Sequence, residues 1–572
     1  MERELNFDKA ELAMRQAFDL FQLGASMLKK EDNSSSAGKT SSSAAVRSKK
    51  KVSSKKKASR NTVFDDEQTT PDDDSEDELA GDDNLYRSSK VMKKTGSFTN
   101  EDYYLGYSHR YIDFTAGNPT TYHVVEHFSK LLESKGFTYL SEKEDWGELT
   151  PGLYYTVRNG TNLGAFVLGE GWKPEFGSGI VGAHVDALAA KLKPVSKKSK
   201  VDGYELLGVA PYAGALSPVW FDRDLGIAGR VLVKVKDPKS PVGYKIVSKL
   251  IDSSPKPIAR ISTLAPHFGA VSNPPYDTEE KAIPVIAFSP GPDVPPSEAE
   301  KSAPLYGKHS LELLRYIASL AKVEVQDLAI LDLDLFDVQR GTLSGIKDDF
   351  LIAPRIDDRL CSFAALHGLL EFAEKPIPKG LFNQVLLYDN EEIGSLTRQG
   401  AKSNLITSIT QRVITSTQEI ADGQSVDTLS KISFANSIIL SADVTHLLNP
   451  TYKSEYLENH FPLPNIGVTV ALDPNGHMAT DSVGWSLVEE LAKINDDKIQ
   501  YFQIKNNARS GGTIGPSISS LTGARTVDLG IAQLSMHSIR AAIGSRDVGL
   551  GVKFFRGFYQ NWRNVYDAYG DL

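Results

Sequence analysis

Residues 385–400 read "VLLYDNEEIGSLTRQG", an apolar run that is followed closely by two adjacent carboxylates. The apolar run is typical of a strand in the middle of a parallel sheet, which is buried on both faces. Glu391 and Glu392 then lie just beyond the carboxyl end of that strand, where open α/β sheets build their sites. A water-exposed acidic pair at a helix start is the alternative interpretation. The position of the pair after a buried strand favours a functional site.

Other apolar segments of the same kind occur on both sides of this stretch. They alternate with helical patterns such as "NPTTYHVVEHFSKLLESKGF", which is interpreted as a capped amphipathic helix, and "SVGWSLVEELAKIN". This alternation predicts an α/β fold with a helix-covered, mostly parallel sheet. The further predicted strands lie in "GSGIVGAHVDALAAKLKP", "NSIILSADVTH", "NIGVTVALD", "IQYFQIKN" and "ARTVDLGIAQLSMHS".

The sequence changes character between residues 196 and 338, where short β-like pieces alternate with many prolines. Examples are "GRVLVKVKD", "PVGYKIVSKLID" and "IPVIAFSP". A chain of 572 residues exceeds what one hydrophobic core usually supports, so more than one unit is expected. We interpret residues 196–338 as a β-rich domain inserted into a first domain that comprises residues 101–195 and 339–572.

The N-terminal region has a different organisation. Residues 1–24 are predicted to form an amphipathic helix, because apolar residues recur at helical spacing after a capping-box pattern at Asp8 and Glu11. Residues 25–100 are rich in Ser, Lys and Asp and predict a disordered linker, with a nuclear signal in "RSKKKVSSKKKASR" as the weaker alternative. An isolated helix on a tether is marginal alone, so its apolar stripe is expected to bind another copy or a different protein.

Composition excludes several classes of function. A net charge of −9 argues against nucleic acid as a main partner. No apolar run approaches membrane-spanning length, and the N-terminus is too charged for a secretory signal, so a soluble protein without membrane insertion is predicted. The single Cys361 excludes an intramolecular disulfide and suits synthesis in a reducing compartment.

Side chains that could bind a metal follow several of the predicted strands. Two histidines and several carboxylates at one sheet edge supply the nitrogen and oxygen ligands that suit zinc, or a zinc pair bridged by one carboxylate. Taken singly, each is also consistent with a hydrogen-bonded structural residue. Asp186 suits a supporting role, because a metal-bound imidazole usually donates its other N–H to a carboxylate. The candidates are His184, Asp357, Glu391, Glu392, Asp443 and His537.

Five longer segments that together include most of these candidates resemble a known protein family. The segments "GAHVDALAAKLKPVS", "APRIDDRLCSFAA", "YDNEEIGSLTRQGAK", "RSGGTIGPS" and "QLSMHSIRAA" resemble the dinuclear-zinc aspartyl aminopeptidase family of metallopeptidases. The resemblance extends from about Tyr104 to Leu572. It implies the zinc aminopeptidase fold, two zinc ions per subunit, and the removal of N-terminal residues from peptide substrates.

The resemblance also assigns roles to the metal-site candidates. It implies that His184 and Asp443 bind one zinc, that Glu392 and His537 bind the other, and that Asp357 bridges them. Glu391 corresponds to the general base of the family. Asp186 is also assigned a catalytic role. The chemistry agrees with this division, because a carboxylate free of metal can take a proton from water and pass it to the leaving amine.

Other features have more than one interpretation. "RSGGTIGPS" resembles an anion-binding loop but lacks a Gly-Lys-Ser/Thr ending, so nucleotide binding is not predicted. By resemblance Gly511 and Gly512 contact the substrate together with Lys505 and His446, although a structural hydrogen bond suits His446 equally well. His267 lies in the insert, where a surface or core histidine is the usual interpretation. In relatives the corresponding histidine reaches into the partner subunit's active site, and "VWFDRDLGIAGR" marks a dimerisation domain.

Substrate preference and cellular role are further implications. Acid-selective members carry a "KNDxPCG"-like segment where residues 505–512 read "KNNARSGG", so neutral, leucine-like first residues are expected. Likeness to fungal vacuolar members implies a tetrahedral dodecamer. It also implies synthesis in the cytoplasm and delivery to the vacuole. In that case the predicted helix of residues 1–24 acts as a propeptide that a selective-autophagy receptor binds. A self-assembling cargo or scaffold, an acid-selective aspartyl aminopeptidase and a dinuclear-zinc deacylase or carboxypeptidase are the alternatives.

Overall fold

A computed structural model describes residues 100–572. The predicted helix at residues 1–24 and the predicted linker up to residue 99 lie outside the described residues. The helices of the described part include none with the length and apolar character needed to cross a membrane.

Each apolar segment predicted as a strand contains one, and further strands form in segments for which the sequence predicted none. In chain order they are β1 (Thr138–Tyr139), β2 (Gly152–Arg158), β3 (Asn162–Leu168), β4 (Gly179–His184), β5 (Ala189–Lys197), β6 (Tyr204–Tyr212), β7 (Leu225–Lys236), β8 (Tyr244–Asp252), β9 (Val285–Phe288), β10 (Leu328–Asp337), β11 (Thr342–Ser344), β12 (Phe350–Ala353), β13 (Phe382–Tyr388), β14 (Ile438–Ala442), β15 (Thr445–His446), β16 (Thr469–Ala471), β17 (Gln500–Phe502), β18 (Arg525–Gly530), β19 (Ala532–Gln533) and β20 (Ala541–Gly544).

The largest sheet has nine strands in the order β1-β2-β3-β13-β4-β14-β18-β16-β17. Its four central strands, β13, β4, β14 and β18, run parallel to one another. Antiparallel pairs occur only toward the two sides, at β2/β3, β3/β13 and β16/β18. The prediction of a mostly parallel sheet is confirmed, and the carboxyl ends of the central strands meet at one edge.

Helices cover both faces of this sheet. Successive residues of a strand point to opposite faces, and Val181 and Ala183 of β4 pack into one apolar core while Ile180 packs into another. A parallel sheet buried on both sides explains why its strands are continuous apolar runs in the sequence. The α-helices are Asn100–Gly117, Thr121–Ser134, Thr278–Lys281, Glu298–Lys301, Leu311–Ala321, Ile356–Ala373, Leu405–Thr417, Val426–Ala435, Ser482–Asn495, Ile514–Thr522 and Asp547–Asp567.

The helix Thr121–Ser134 differs from the predicted capped helix in one detail. The side chain of Thr120 at its N-cap makes no hydrogen bond to the helix backbone. Its hydroxyl instead lies 2.8 Å from Nδ1 of His123. The hydroxyl of Thr120 therefore contacts a side chain of the first turn and none of its backbone N–H groups.

A second sheet of six strands has the order β8-β7-β10-β5-β6-β9, and each neighbouring pair is antiparallel. It has its own apolar core, in which the helix Leu311–Ala321 packs through Leu314 and Ile317. Residues 189–337 thus contribute a sheet and a core separate from those of the nine-stranded sheet. Two small sheets, β11-β12-β20 and β15-β19, complete the described strands.

Candidate metal centre

The parallel strand ends carry most of the predicted site residues to one place. His184 is the last residue of β4, and Asp443 follows directly after β14. Glu391 and Glu392 begin a short 3-10 helix, Glu391–Ile393, just after β13. Asp357 and His537 come from outside the central strands, at the start of the helix Ile356–Ala373 and shortly after β19.

Ligand atoms of these residues form two groups of three that share Asp357. In one group, Nε2 of His184 lies 3.4 Å from Oδ1 of Asp357 and 3.5 Å from Oδ1 of Asp443. In the other, Nε2 of His537 lies 3.6 Å from Oδ2 of Asp357 and 3.6 Å from Oε2 of Glu392. The two oxygens of Asp357 thus face different groups, as a bridging carboxylate requires.

Both groups fit the coordination chemistry of zinc. Two ligands at the usual zinc distances of about 2.0–2.1 Å in a tetrahedral site lie roughly 3.4 Å apart. The four separations between a histidine nitrogen and a carboxylate oxygen in these groups, 3.4–3.6 Å, match that value. In addition, Oε1 of Glu392 is buried and has no hydrogen-bond partner, and such an atom is explained when an ion binds there. Imidazole and carboxylate groups are both among the ligands that bind zinc in proteins.

Electrostatics at the cluster also favour a bound cation. Burial, reinforced by nearby carboxylates, raises the pKa of Glu391 to about 8, although His184 opposes the change. Burial and the charge of Asp357 raise the pKa of Glu392 to about 9. Burial alone would lower the pKa of His184, but Asp443 and hydrogen bonds to carboxylates hold it well above its usual value. A divalent cation would relieve this repulsion and favour the ionised carboxylates.

Asp186 fixes the orientation of both halves of the site. Its Oδ1 lies 3.2 Å from Nδ1 of His184 and accepts the backbone N–H of Glu391 at 3.2 Å. Its Oδ2 accepts the backbone N–H of Glu392 at 3.1 Å and the hydroxyl of Tyr212 at 2.7 Å. Burial would raise the pKa of Asp186, but these hydrogen bonds, chiefly with His184, lower it. Asp186 is therefore an ionised acceptor that holds the imidazole and the glutamate pair together.

Unusual backbone conformations place several of these side chains. Arg355, Asn390 and His537 have φ values of 56°, 62° and 61°, in the left-handed region that non-glycine residues rarely adopt. Asp357 departs from helical geometry inside its own helix, with φ −75° and ψ 113°. Such residues cluster where a site requires a side chain to point in one direction.

A pocket opens beside the metal-site residues. His446, Gly511 and Gly512 line it, and the ring of His446 packs against Phe502 at 5.2 Å between ring centroids. Lys505 is not among the lining residues, and its Nζ donates to the carbonyl oxygen of Ser454. His267 is exposed in the 3-10 helix Pro266–Ser272 and does not line the pocket either. One chain therefore brings together the metal-site residues, Glu391, Asp186 and three of the substrate candidates.

The sequence did not reveal several neighbours of the site. Tyr212 comes from β6 of the second sheet, and Nδ2 of Asn390 donates to its hydroxyl at 2.9 Å. Asp358 is fully buried, and its Oδ2 accepts the backbone N–H of His184 at 3.4 Å. Only Asp358 and Asn390 carried a usable signal, because each is adjacent to a predicted site residue. Tyr212 is distant in sequence and has no local pattern that marks it.

Comparison with known proteins gives a consistent result. Residues 114–559 match the model of a family described as aminopeptidase I zinc metalloprotease (M18). Vacuolar aminopeptidase 1 of Saccharomyces cerevisiae is 57% identical over 482 residues, which cover 82% of this chain and 91% of that relative. An aspartyl aminopeptidase of Aspergillus oryzae is 34% identical over 484 residues, covering 80% and 96%. The structure of the S. cerevisiae mApe1 dodecamer aligns with a TM-score of 0.73 at 53% identity, covering 82% of this chain and 100% of that chain.

Proposed function

Because this chain belongs to the M18 family of zinc metalloproteases, we propose that it is a dinuclear-zinc aminopeptidase that removes neutral, leucine-like residues from the N-termini of peptides. The observation that carries the proposal is the pair of ligand groups that share the two oxygens of Asp357. In this proposal His184 and Asp443 hold one zinc, Glu392 and His537 hold the other, and Asp357 bridges the two.

The adjacent glutamates have different roles in this proposal. Oε2 of Glu392 is within 3.6 Å of His537 and belongs to a ligand group, whereas Glu391 belongs to neither group. The carboxylate of Glu391 approaches His184 only to 3.9 Å. Glu391 is therefore the carboxylate that remains free to exchange protons while Glu392 binds metal.

The reaction follows from this division of roles. When bound, a pair of zinc ions lowers the pKa of water and polarises the scissile carbonyl. Glu391 accepts the proton that the attacking water gives up and donates it to the amine of the leaving peptide. Asp186 keeps the backbone N–H groups of the glutamate pair, and hence the base, in a fixed position.

The pocket supports a preference for uncharged first residues. Apolar side chains line it, namely Val444, Ala471, Met478, Phe502, Leu529 and Met536. In the described part of the chain no lysine or arginine lines this pocket, so an acidic side chain would enter without a cationic partner. Burying an unpaired carboxylate is unfavourable. The lining thus favours leucine over glutamate as the first residue.

Assembly and location are further parts of the proposal. We propose that the chain forms an oligomer, and the dodecamer of the similar S. cerevisiae mApe1 supports a dodecamer here. The exposed His267 then acts in the site of a neighbouring subunit. Similarity to a vacuolar aminopeptidase supports the vacuole as the destination. Residues 1–24 are proposed to bring the protein there by binding an autophagy receptor.

Hydrolysis of matched peptides tests the activity. The zinc-loaded protein is expected to release leucine from Leu-Ala-Ala and to leave N-acetyl-Leu-Ala-Ala intact. The proposed reaction removes the first residue of a peptide whose amino group is free, and the acetyl group blocks that amine. Release of the C-terminal residue from both peptides would instead identify a carboxypeptidase. Hydrolysis of Glu-Ala-Ala with a kcat/KM above that of Leu-Ala-Ala would replace the neutral preference with an acidic one.

A further inference from the structure

Two loops line the pocket together with the metal-site residues. Residues 473–480 follow β16 and contribute Met478 to the lining. Residues 505–513 follow β17 and contribute the segment 510–513. β16 and β17 are parallel neighbours, so the two loops leave the sheet side by side.

A chain of three side chains connects these loops. In the first loop, Nδ1 of His477 lies 2.5 Å from Oδ2 of Asp473. Asp473 is buried and also accepts the backbone N–H of Asn475 at 2.9 Å. From the second loop, Nε of Arg509 donates to Nε2 of His477 at 3.1 Å. His477 is thus held between a carboxylate of its own loop and a guanidinium of the other loop.

The partners fix where the proton of His477 is located. A guanidinium has only N–H donors, so Nε2 of His477 accepts from Arg509 and carries no hydrogen. Nδ1 then holds the proton and donates it to Asp473. Protonation of the ring would place an N–H at Nε2 against the N–H and positive charge of Arg509. This hydrogen bond between the two loops therefore requires neutral His477.

The groups that face His477 act in opposite directions. Asp473, from the turn after β16, favours the charged imidazole, whereas Arg509, from the facing loop, opposes it. Protonation of the ring would break the hydrogen bond from Arg509 while it leaves the contact between His477 and Asp473 in place.

The link acts on the part of the second loop that lines the pocket. Gly511 and Gly512 follow Arg509 closely, and a Cβ at either glycine would have nothing within 4 Å. Both glycines are exposed and face open space. At the start of the loop, Lys505 is tied to Ser454. Nearest to the glycines, Arg509 makes a side-chain hydrogen bond to His477, in the loop that carries Met478.

We propose that His477 and Arg509 are positioning residues that join the two loops over the first-residue pocket, and that protonation of His477 releases them. This inference rests on the proposed aminopeptidase function for its kinetic consequence. Without this hydrogen bond, the loop of residues 505–513 must become ordered each time a substrate binds, which raises KM. The groups that carry out proton transfer are not displaced, so kcat changes little.

Three variants separate the link from a general loss of structure. Arg509→Met keeps the length of the side chain without its donors. His477→Gln keeps an acceptor for Arg509 at the end of the side chain and cannot be protonated. Asn506→Ala, an exposed change in the same loop, is the matched control. Zinc content of each purified variant is measured so that rates are compared per loaded site.

The kinetic measurement is KM for Leu-Ala-Ala at neutral and at acidic pH. Near neutrality Arg509→Met is expected to raise KM about threefold to tenfold, the effect of losing one hydrogen bond, with kcat within about twofold. On acidification KM should rise more for the wild type than for Arg509→Met or His477→Gln. An unchanged KM in Arg509→Met, or equal pH dependence in wild type and His477→Gln, would overturn the proposal.

Trypsin provides a readout that does not need peptidase activity. Cleavage after Lys505 or Arg509 requires the loop to open, so His477→Ala should be cut there faster than the wild type and His477→Gln should not. Equal cleavage rates in wild type and His477→Ala would refute the link. If the wild type hydrolyses no unblocked peptide while these cleavage rates differ as stated, the proposed function fails and the link between the loops stands.

Discussion

Replacing the two adjacent glutamates one at a time tests the division of roles at the site. Glu391→Gln changes little in shape and removes the ability to exchange a proton. Because Glu391 belongs to neither ligand group, the variant is expected to keep its zinc and its oligomeric state. Loss of a general base lowers kcat by about 10²–10⁴, which corresponds to roughly 3–5 kcal/mol of transition-state stabilisation.

Glu392→Gln is expected to have a different primary effect. Glu392 lies in the group with Asp357 and His537, and its Oε1 is buried without a partner. A neutral amide is a poorer ligand for zinc than a carboxylate, so the zinc content should fall toward half of the wild-type value. Glu126→Gln, on an exposed helix surface beside Lys130, is the control and should change neither quantity.

The assay combines elemental analysis of zinc with kcat for Leu-Ala-Ala on the same preparations. The expected pattern is full zinc with low kcat in Glu391→Gln, and reduced zinc in Glu392→Gln. Equal loss of zinc in both variants would refute the separation of base from ligand. Nearly normal kcat in Glu391→Gln at full zinc occupancy would remove Glu391 from the chemistry.

Three further outcomes are expected. In the metal-free protein the carboxyl pKa values of Glu391 and Glu392, about 8 and about 9, lie above the ordinary 4.5. The unfolded chain therefore releases these protons first, and stability falls as pH rises from about 4.5 toward 9. The stabilisation by zinc is measured as the Tm difference between the zinc-loaded and the chelated protein, and it should grow as pH rises over this range. A constant Tm difference would contradict the raised pKa values of the two glutamates. Tyr212→Phe removes a hydrogen bond to Asp186 and should weaken zinc affinity about tenfold or more, measured by competition with a chelating dye; unchanged affinity would show that the hydroxyl is dispensable. Mixed oligomers of His267→Ala and Glu391→Gln chains should recover part of the wild-type activity, and no recovery in oligomers shown to be mixed would place His267 outside catalysis.

Much of the fold could be predicted because the central strands are buried on both faces. Such strands are continuous apolar runs, and "QVLLYDN" and "NSIILSADVTH" correspond to β13 and β14. The direction of the outer strands could not be predicted in the same way. Burial patterns alone do not distinguish the antiparallel pairs β2/β3 and β16/β18 from parallel ones.

The site could likewise be predicted only where it depends on the central parallel strands. Residues at the ends of parallel strands, such as His184 and Asp443, must share one edge, so their proximity follows from the sequence pattern. Tyr212 reaches Asp186 from a different sheet. That contact depends on how the second sheet is placed beside the first, which no local pattern encodes. Arg509 and His477 likewise meet only because β16 and β17 are neighbours.

Anomalous X-ray diffraction at the zinc absorption edge, on crystals of the zinc-loaded protein, tests the central claim most directly. We predict two zinc peaks per subunit on either side of the Asp357 carboxylate. One peak should contact His184 and Asp443, and the other should contact Glu392 and His537. A single peak, or a peak bound by Glu391 in place of Glu392, would contradict this assignment of the site.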